Sequence, residues 1–192
     1  LAKTLTGVAF WQNTSQNLTE SGEPARLTIG LVSANLFDVL GVRPVLGRAL
    51  TDDDDRPTSA PVAVLGHGLW VSRFNSDARI VGRRITLNDV AVEVIGVMPE
   101  GFRLPTDFTA DAAEPTELWR PFRLAKASRT VHNLYAAAVL APGQTPQTGT
   151  AELQAITRRL TEQGEYHAEM QFTAFAVSFD DEIRGGLRPA MW

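Results

Sequence analysis

Residues 26–48 constrain the fold more than any other part of this chain, because a strand pattern there runs without a gap into a helix pattern. Leu27, Ile29 and Leu31 alternate strictly, the period of a strand with one buried face. Directly after, Ser33 is a favourable N-cap, Phe37 and Leu40 fall on one helical face at i, i+3, and Gly41 stands where a helix stops in a left-handed residue. The spacing predicts a strand over 26–32 and a short helix over 33–40. Pro44 and Gly47 then break regular structure, and Thr51-Asp52-Asp53-Asp54-Asp55 reads as a solvated turn.

The rest of the chain extends this mixture. Residues 5–11 read as a first strand that pairs with 26–32 across a polar turn from Asn13 to Pro24. The sequons Asn13-Thr14-Ser15 and Asn17-Leu18-Thr19 matter only in a eukaryotic secreted protein and are set aside. Pro57 and Pro61 bracket a linker. Beyond it come a buried strand at 62–65 and a helix at 68–74 that packs Leu69, Trp70 and Phe74, closed by Asn75-Ser76-Asp77. Residues 84–87 and 90–97 form a hairpin about Asn88-Asp89, the second strand covered on both sides at its end. Residues 102–121 are irregular apart from a short edge strand at 118–121, where Pro121 is tolerated. A strand at 132–140 precedes a helix capped by Thr145 with Pro146 in its first position, packed through Leu153, Ile156 and Leu160 and stopped at Gly164. Arg158 and Arg159 oppose its dipole, and 172–177 is expected to close a strand-helix-strand unit.

Charge and residue usage exclude several classes of function. With 18 Lys and Arg against 22 Asp and Glu, the net charge of −4 does not suit nucleic acid, whose binding needs a basic surface. The absence of cysteine removes disulfides and thiolate metal or redox sites. The longest apolar run, 134–140, is strand-sized, far short of the about 18 residues a transmembrane helix needs. At 192 residues, folding buries roughly 70% of the unfolded surface, enough for a proper core.

The reactive residue types do not converge in the sequence. His67, His132 and His167 lack metal-ligand spacing, and structural roles are expected for them. The run 52–55 is like a calcium loop only in charge, without the glycine and the closing glutamate. Gly66-His67-Gly68 stands between strand and helix, the place of a phosphate loop, but lacks the third glycine and the Lys-Ser/Thr pair. No Gly-x-Ser-x-Gly elbow occurs. Asp180-Asp181-Glu182 reads as a solvated connector, and Trp70 and Trp119 as core residues. We therefore expect no catalytic, cofactor-binding or metal residues, and no enzyme.

Three motifs together carry a resemblance. Phe37-x-x-Leu40-Gly41, Pro44 and Gly47-Arg48 with the acidic turn come first, then Val64-Leu65-Gly66-His67-Gly68-Leu69-Trp70, then Ile95-Gly96-Val97-Met98-Pro99-Glu100-Gly101-Phe102. In this order and spacing the chain resembles the extracytoplasmic, MacB-like periplasmic core domain of ABC-transporter permeases, in particular the duplicated permeases without a fused ATPase. The resemblance implies an α+β protein of two lobes: a porter-like strand-helix-strand subdomain (1–57 plus 130–192) interrupted by a smaller, mostly β, sabre-like subdomain (58–129). It also implies a non-catalytic role: relaying ATP-driven transmembrane movement to export or to a periplasmic partner. A cytoplasmic ATPase subunit, and a periplasmic adaptor or second permease copy, are the implied partners, with the domain held in the periplasm at the inner membrane. Residues 187–192 are similar to the lead into the second transmembrane helix of such permeases. Phe37, Leu40, Gly41, Pro44, Gly47 and Arg48 are expected to serve fold and lobe junction. The alternative is a free-standing secreted two-lobed module that binds a peptide or small ligand in its cleft.

Overall fold

The computed structural model describes residues 2–19, 23–108, 114–123, 134–167, 169 and 171–181. The fold is α+β, as expected. Its elements are β1 (Leu5–Leu18), β2 (Ala25–Val32), α1 (Leu36–Val39), β3 (Leu46–Gly47), β4 (Val62–Leu65), α2 (His67–Phe74), β5 (Arg84–Leu87), β6 (Val90–Val97), β7 (Leu118–Pro121), β8 (Tyr135–Leu140) and α3 (Pro146–Glu162). They fall into two compact units: Leu1–Val8 with Ala127–His132 and Ala138–Trp192, and Ala9–Lys126 with Asn133–Ala137.

The larger unit is built on a mixed sheet whose strands run in the order β2-β7-β4-β6-β5-β1. β1 and β2 pair antiparallel from Trp11–Val32 to Leu18–Ala25. The first half of the expected polar turn at 13–24, residues 13–18, is thus strand. Its side chains alternate between exposed and half-buried, and the ladder to β2 satisfies backbone groups that polar side chains left uncommitted. β7 pairs parallel with β2 and antiparallel with β4, so it is a central strand and not the expected edge. Pro121 is tolerated because it is the last residue of the strand, and the next N–H, that of Phe122, donates to Val32 O at 2.9 Å.

Side chains of these strands alternate between two cores, one for each face of the sheet. Leu27, Ile29, Ala63, Leu65, Val92, Val94 and Leu118 join Leu69 and Phe74 of α2. Val32, Val62, Val64, Ile95 and Trp119 join Leu36 and Phe37 of α1 with Met98 and Leu104. All four residues of β4 are buried because both faces are covered. The β5–β6 hairpin forms in the predicted register, with Asn88 (φ 45°) and Asp89 (φ 63°) left-handed as a type I′ turn requires.

α1 differs from expectation at its start. Its N-cap is Asn35, without a side-chain cap bond, and the Ser33 hydroxyl instead accepts from Phe10 N–H and donates to Asn35 Oδ1. Its end is as predicted: Gly41 (φ 68°) and Val42 donate to Asp38 O and Phe37 O, the paired bonds of a Schellman stop.

In the smaller unit, α3 opens with a capping box between Thr145 and Thr148, and Pro146 takes its first turn. Gly164 (φ 74°) follows the cap residue Gln163. Residues 171–178 form no strand, contrary to expectation. The Thr150 hydroxyl on α3 donates to Ala176 O and accepts from Ala176 N–H, so side-chain bonds serve this backbone where a ladder was predicted. The expected strand start at His132 and the 187–192 tail lie outside the described residues.

Candidate functional site

The motif residues form a set of backbone locks in the larger unit. Phe37 packs edge-on against Phe102 (5.7 Å between centroids) and Trp119 (6.0 Å), and Phe102 closes the triangle on Trp119 at 5.1 Å. Phe37 and Trp119 are fully buried. Trp119 lies over Gly30, where an added Cβ would come within 2.6 Å of its Cδ1. Pro44 leads into β3, which pairs antiparallel with the end of β6, Leu46 opposite Val97 and Gly47 opposite Gly96. This pairing allows no side chain at either glycine. A Cβ on Gly47 (φ 70°) would sit 2.1 Å from Ile95 O, and one on Gly96 would sit 2.4 Å from Arg48 O. The Gly-Arg and Val-x-Gly-Val-Met-Pro pieces of the sequence are therefore two sides of one close backbone crossing.

Arg48 continues the lock into the acidic turn. Its guanidinium grips Asp54 with both nitrogens, at 2.6 and 3.0 Å, and Asp54 Oδ2 also accepts from Thr51 N–H and Oγ1. Burial raises the Asp54 pKa, but the bonds from Arg48 and Thr51 outweigh it, so the carboxyl ionises below the usual range. The turn is not simply solvated. Asp54 is buried, Asp55 accepts from Arg123 N–H at 2.6 Å, and the Arg123 side chain donates to Asp54 O and Ala60 O. Asp53 takes Arg56. These carboxylates are turned onto the chain's own donors and do not converge on one point.

The smaller unit has its own anchor. Glu152, nearly two turns into α3, accepts from Lys3 N–H, Thr4 N–H and the Thr4 hydroxyl, while Thr4 O accepts from Ala141 N–H. The Thr4 hydroxyl bond, followed by the two backbone donors, pulls the Glu152 pKa down to about 2. Sequence reasoning missed this residue, since a glutamate on an amphipathic helix gives no sign of a partner nearly 150 positions away.

The residues considered for chemistry stay apart. His67 stacks edge-on against Trp70 at 5.4 Å, and Trp70 donates its indole N–H to Asp77 O. Gly66 is small because a Cβ would lie 2.8 Å from Glu117 O, which already accepts Gly66 N–H at 2.7 Å, a packing reason and not a phosphate cradle. Among the described residues no three His, Cys, Asp or Glu side chains are grouped to hold a metal ion, and no helix is long and apolar enough to cross a membrane. His132 and Glu182 lie outside the described residues.

A family model, the MacB-like periplasmic core domain, matches residues 2–156. Among solved structures, the periplasmic region of MacB from Actinobacillus actinomycetemcomitans shares the fold at a TM-score of 0.63 and 18% identity, over 84% of this chain and 70% of that one. The extracellular domain of the noncanonic ABC-type transporter YknZ from Gram-positive bacteria does so at 0.61 and 18%, over 91% and 80%. No curated protein matches the chain.

Proposed function

The chain belongs to the family of MacB-like periplasmic core domains, and from that premise we propose that it relays ATP-driven movement of a permease's transmembrane helices to export or to a periplasmic partner, without catalysing a reaction itself. The family match over 2–156 is the observation that carries this reading, and it favours a permease domain over a free-standing secreted binding module. A relay needs stiff bodies and not reactive groups. The Gly47–Gly96 crossing, the Arg48–Asp54 grip and the Glu152 anchor are fixings of that kind. The proposed partners are a cytoplasmic ATPase subunit and a periplasmic adaptor or second permease copy, with the domain tethered outside the cytoplasm at the inner membrane. The division into porter-like (1–57 with 130–192) and sabre-like (58–129) subdomains belongs to the same proposal.

The test uses the parent permease with its ATPase subunit in proteoliposomes. Glu152→Ala frees residues 3 and 4 from α3 while removing no reactive group. The relay reading expects ATP hydrolysis to persist and transport to fall. Transport that stays coupled in Glu152→Ala, and also in a variant with a Gly-Ser insertion after Thr4, would refute it.

A further inference from the structure

One recess in the larger unit has a charge opposite to that of the whole chain. It is a cavity of about 700 Å³, open to solvent and lined by Arg73, Phe74, Asn75, Asp77, Arg79 and Arg83. We propose that it is a docking surface for an acidic segment of a partner polypeptide. The inference goes beyond the relay reading and stands without it.

Three arginines frame the recess, and each is held from one side only. Arg79 is paired with Asp77 at 3.1 Å, Arg73 donates to Glu23 O at 3.1 Å, and Arg83 lies over the Phe74 ring at 5.9 Å from its centroid. A guanidinium has five N–H donors, so these contacts fix direction and leave donors for a ligand. The single carboxylate lining the recess, Asp77, is already taken by Arg79. Among the described residues neither Arg73 nor Arg83 has a carboxylate within ion-pair distance. Glu117 and Asp77 lie within Coulombic reach of Arg73 and Arg83 without pairing to them, so the lining, three arginines and one aspartate, keeps a net positive charge on a chain of net charge −4.

The frame is stiff. Asn75 (φ 51°) and Ser76 (φ 56°) are consecutive left-handed residues, Ser76 N–H donates to Trp70 O, Asp77 N–H to Phe74 O, and the Trp70 indole to Asp77 O. The Asp77 carboxylate caps the next turn at Arg79 N–H. The fixed backbone sets where the guanidiniums stand, and their planar forks match two-oxygen acceptors such as carboxylates. The openness and volume suit a run of carboxylates on an extended segment, where a lone inorganic anion would fill a small part of the space.

The test is an amide NMR titration of this chain with a hexaglutamate peptide, with inorganic phosphate as the comparison. Shifts confined to residues 73–83, weakened as salt rises from about 0.01 to 0.1 M and the Debye length falls from about 30 to 10 Å, are expected. Arg73→Gln with Arg83→Gln should raise Kd about tenfold, whereas Arg158→Gln on α3 leaves it unchanged. If the double variant unfolds, Arg73→Lys with Arg83→Lys, which keeps the charge but not the fork, should weaken binding about threefold. The proposal is overturned if residues 73–83 do not shift, if the variants bind as tightly as the parent, or if phosphate produces the same shifts at the same concentration.

Discussion

Gly41, Gly47 and Gly96 allow two costs usually mixed in a glycine motif to be measured apart. Gly41 and Gly47 have nearly the same left-handed backbone, φ 68° and 70°, but a Cβ on Gly41 meets nothing within 4 Å and one on Gly47 meets Ile95 O at 2.1 Å. Gly96 is not left-handed, yet its Cβ would reach Arg48 O at 2.4 Å. Gly41→Ala should therefore cost only the left-handed strain, about 1–2 kcal/mol. Gly96→Ala should cost only the forced separation of two strands, about 1–3 kcal/mol. Gly47→Ala carries both, roughly 2–5 kcal/mol, because Ile95 O cannot retreat without losing the Arg48 N–H it accepts at 2.8 Å. Urea unfolding followed by tryptophan fluorescence is the assay, with the slope of the transition compared between variants. Trp11, Trp70 and Trp119 belong to the unit that contains these glycines, so the signal reports on the right body. Against a total stability of about 5–15 kcal/mol, Gly47→Ala should leave the unit marginal while Gly41→Ala stays folded. Equal midpoints for Gly41→Ala and Gly47→Ala, or a neutral Gly96→Ala, would refute the close-approach argument.

Four further outcomes follow from the same geometry. Gly30→Ala should destabilise by about 1–3 kcal/mol, read in the same urea assay, since the new methyl would sit 2.6 Å from Trp119 Cδ1 and the fully buried ring has little room to draw back. Asp54→Ala, which strands the Thr51 donors and the Arg48 fork, should cost about 2 kcal/mol, whereas Arg48→Lys, which keeps the charge but loses the two-pronged grip, should cost less than half of that. Asp89→Gly should stabilise by about 0.5–1 kcal/mol by relieving a left-handed aspartate in the hairpin turn, seen as a higher Tm. The Glu152 pKa is depressed from 4.5 to about 2 in the folded chain, so its contribution is full above about pH 4.5 and is lost as pH falls toward 2. Protection of the Thr4 amide, its exchange relative to the intrinsic rate at each pH, should fall across that window in the unsubstituted chain, and Glu152→Gln should show low protection that does not change with pH.

Elements with a local cause could be read from the sequence. The hairpin at Asn88-Asp89, the Gly41 stop and the Thr145-Pro146 helix start depend on residues within a few positions of each other, and all three form where their turn and cap chemistry places them. The misreadings share a different cause. Asn13 to Leu18 is strand because β2 pairs with it, not because its polar side chains favour extension. Leu118 to Pro121 is central because β2 and β4, about 90 and 50 residues away, flank it. Residues 172–177 have the alternation of a strand but no ladder, since Thr150 takes the backbone groups of Ala176. Partners chosen across long separations leave no mark on local periodicity. The same holds for the candidate residues: Asp54 looked like one of four interchangeable aspartates, and only the fold singles it out as the one that Arg48 holds.

The motif that identifies the family is thus a record of backbone geometry. Gly47 and Gly96 are glycines because two strands cross where no side chain fits, Arg48 is an arginine because its fork must span both oxygens of Asp54, and Phe37 is aromatic because it wedges against Phe102 and Trp119. A binding protein concentrates its distinctive residues around a ligand, where they stay partly exposed. Here Gly47 and Gly96 meet backbone, Phe37 is fully buried, and Arg48, although its side chain is half exposed, spends both terminal nitrogens on Asp54. That distribution fits the relay role proposed above, which asks for a part that keeps its shape. It also makes a separable claim: surface substitutions that spare these locks, such as the paired arginine changes at the acidic-segment recess, should alter partner recognition without softening the domain, while Gly47→Ala should soften it without touching the recess.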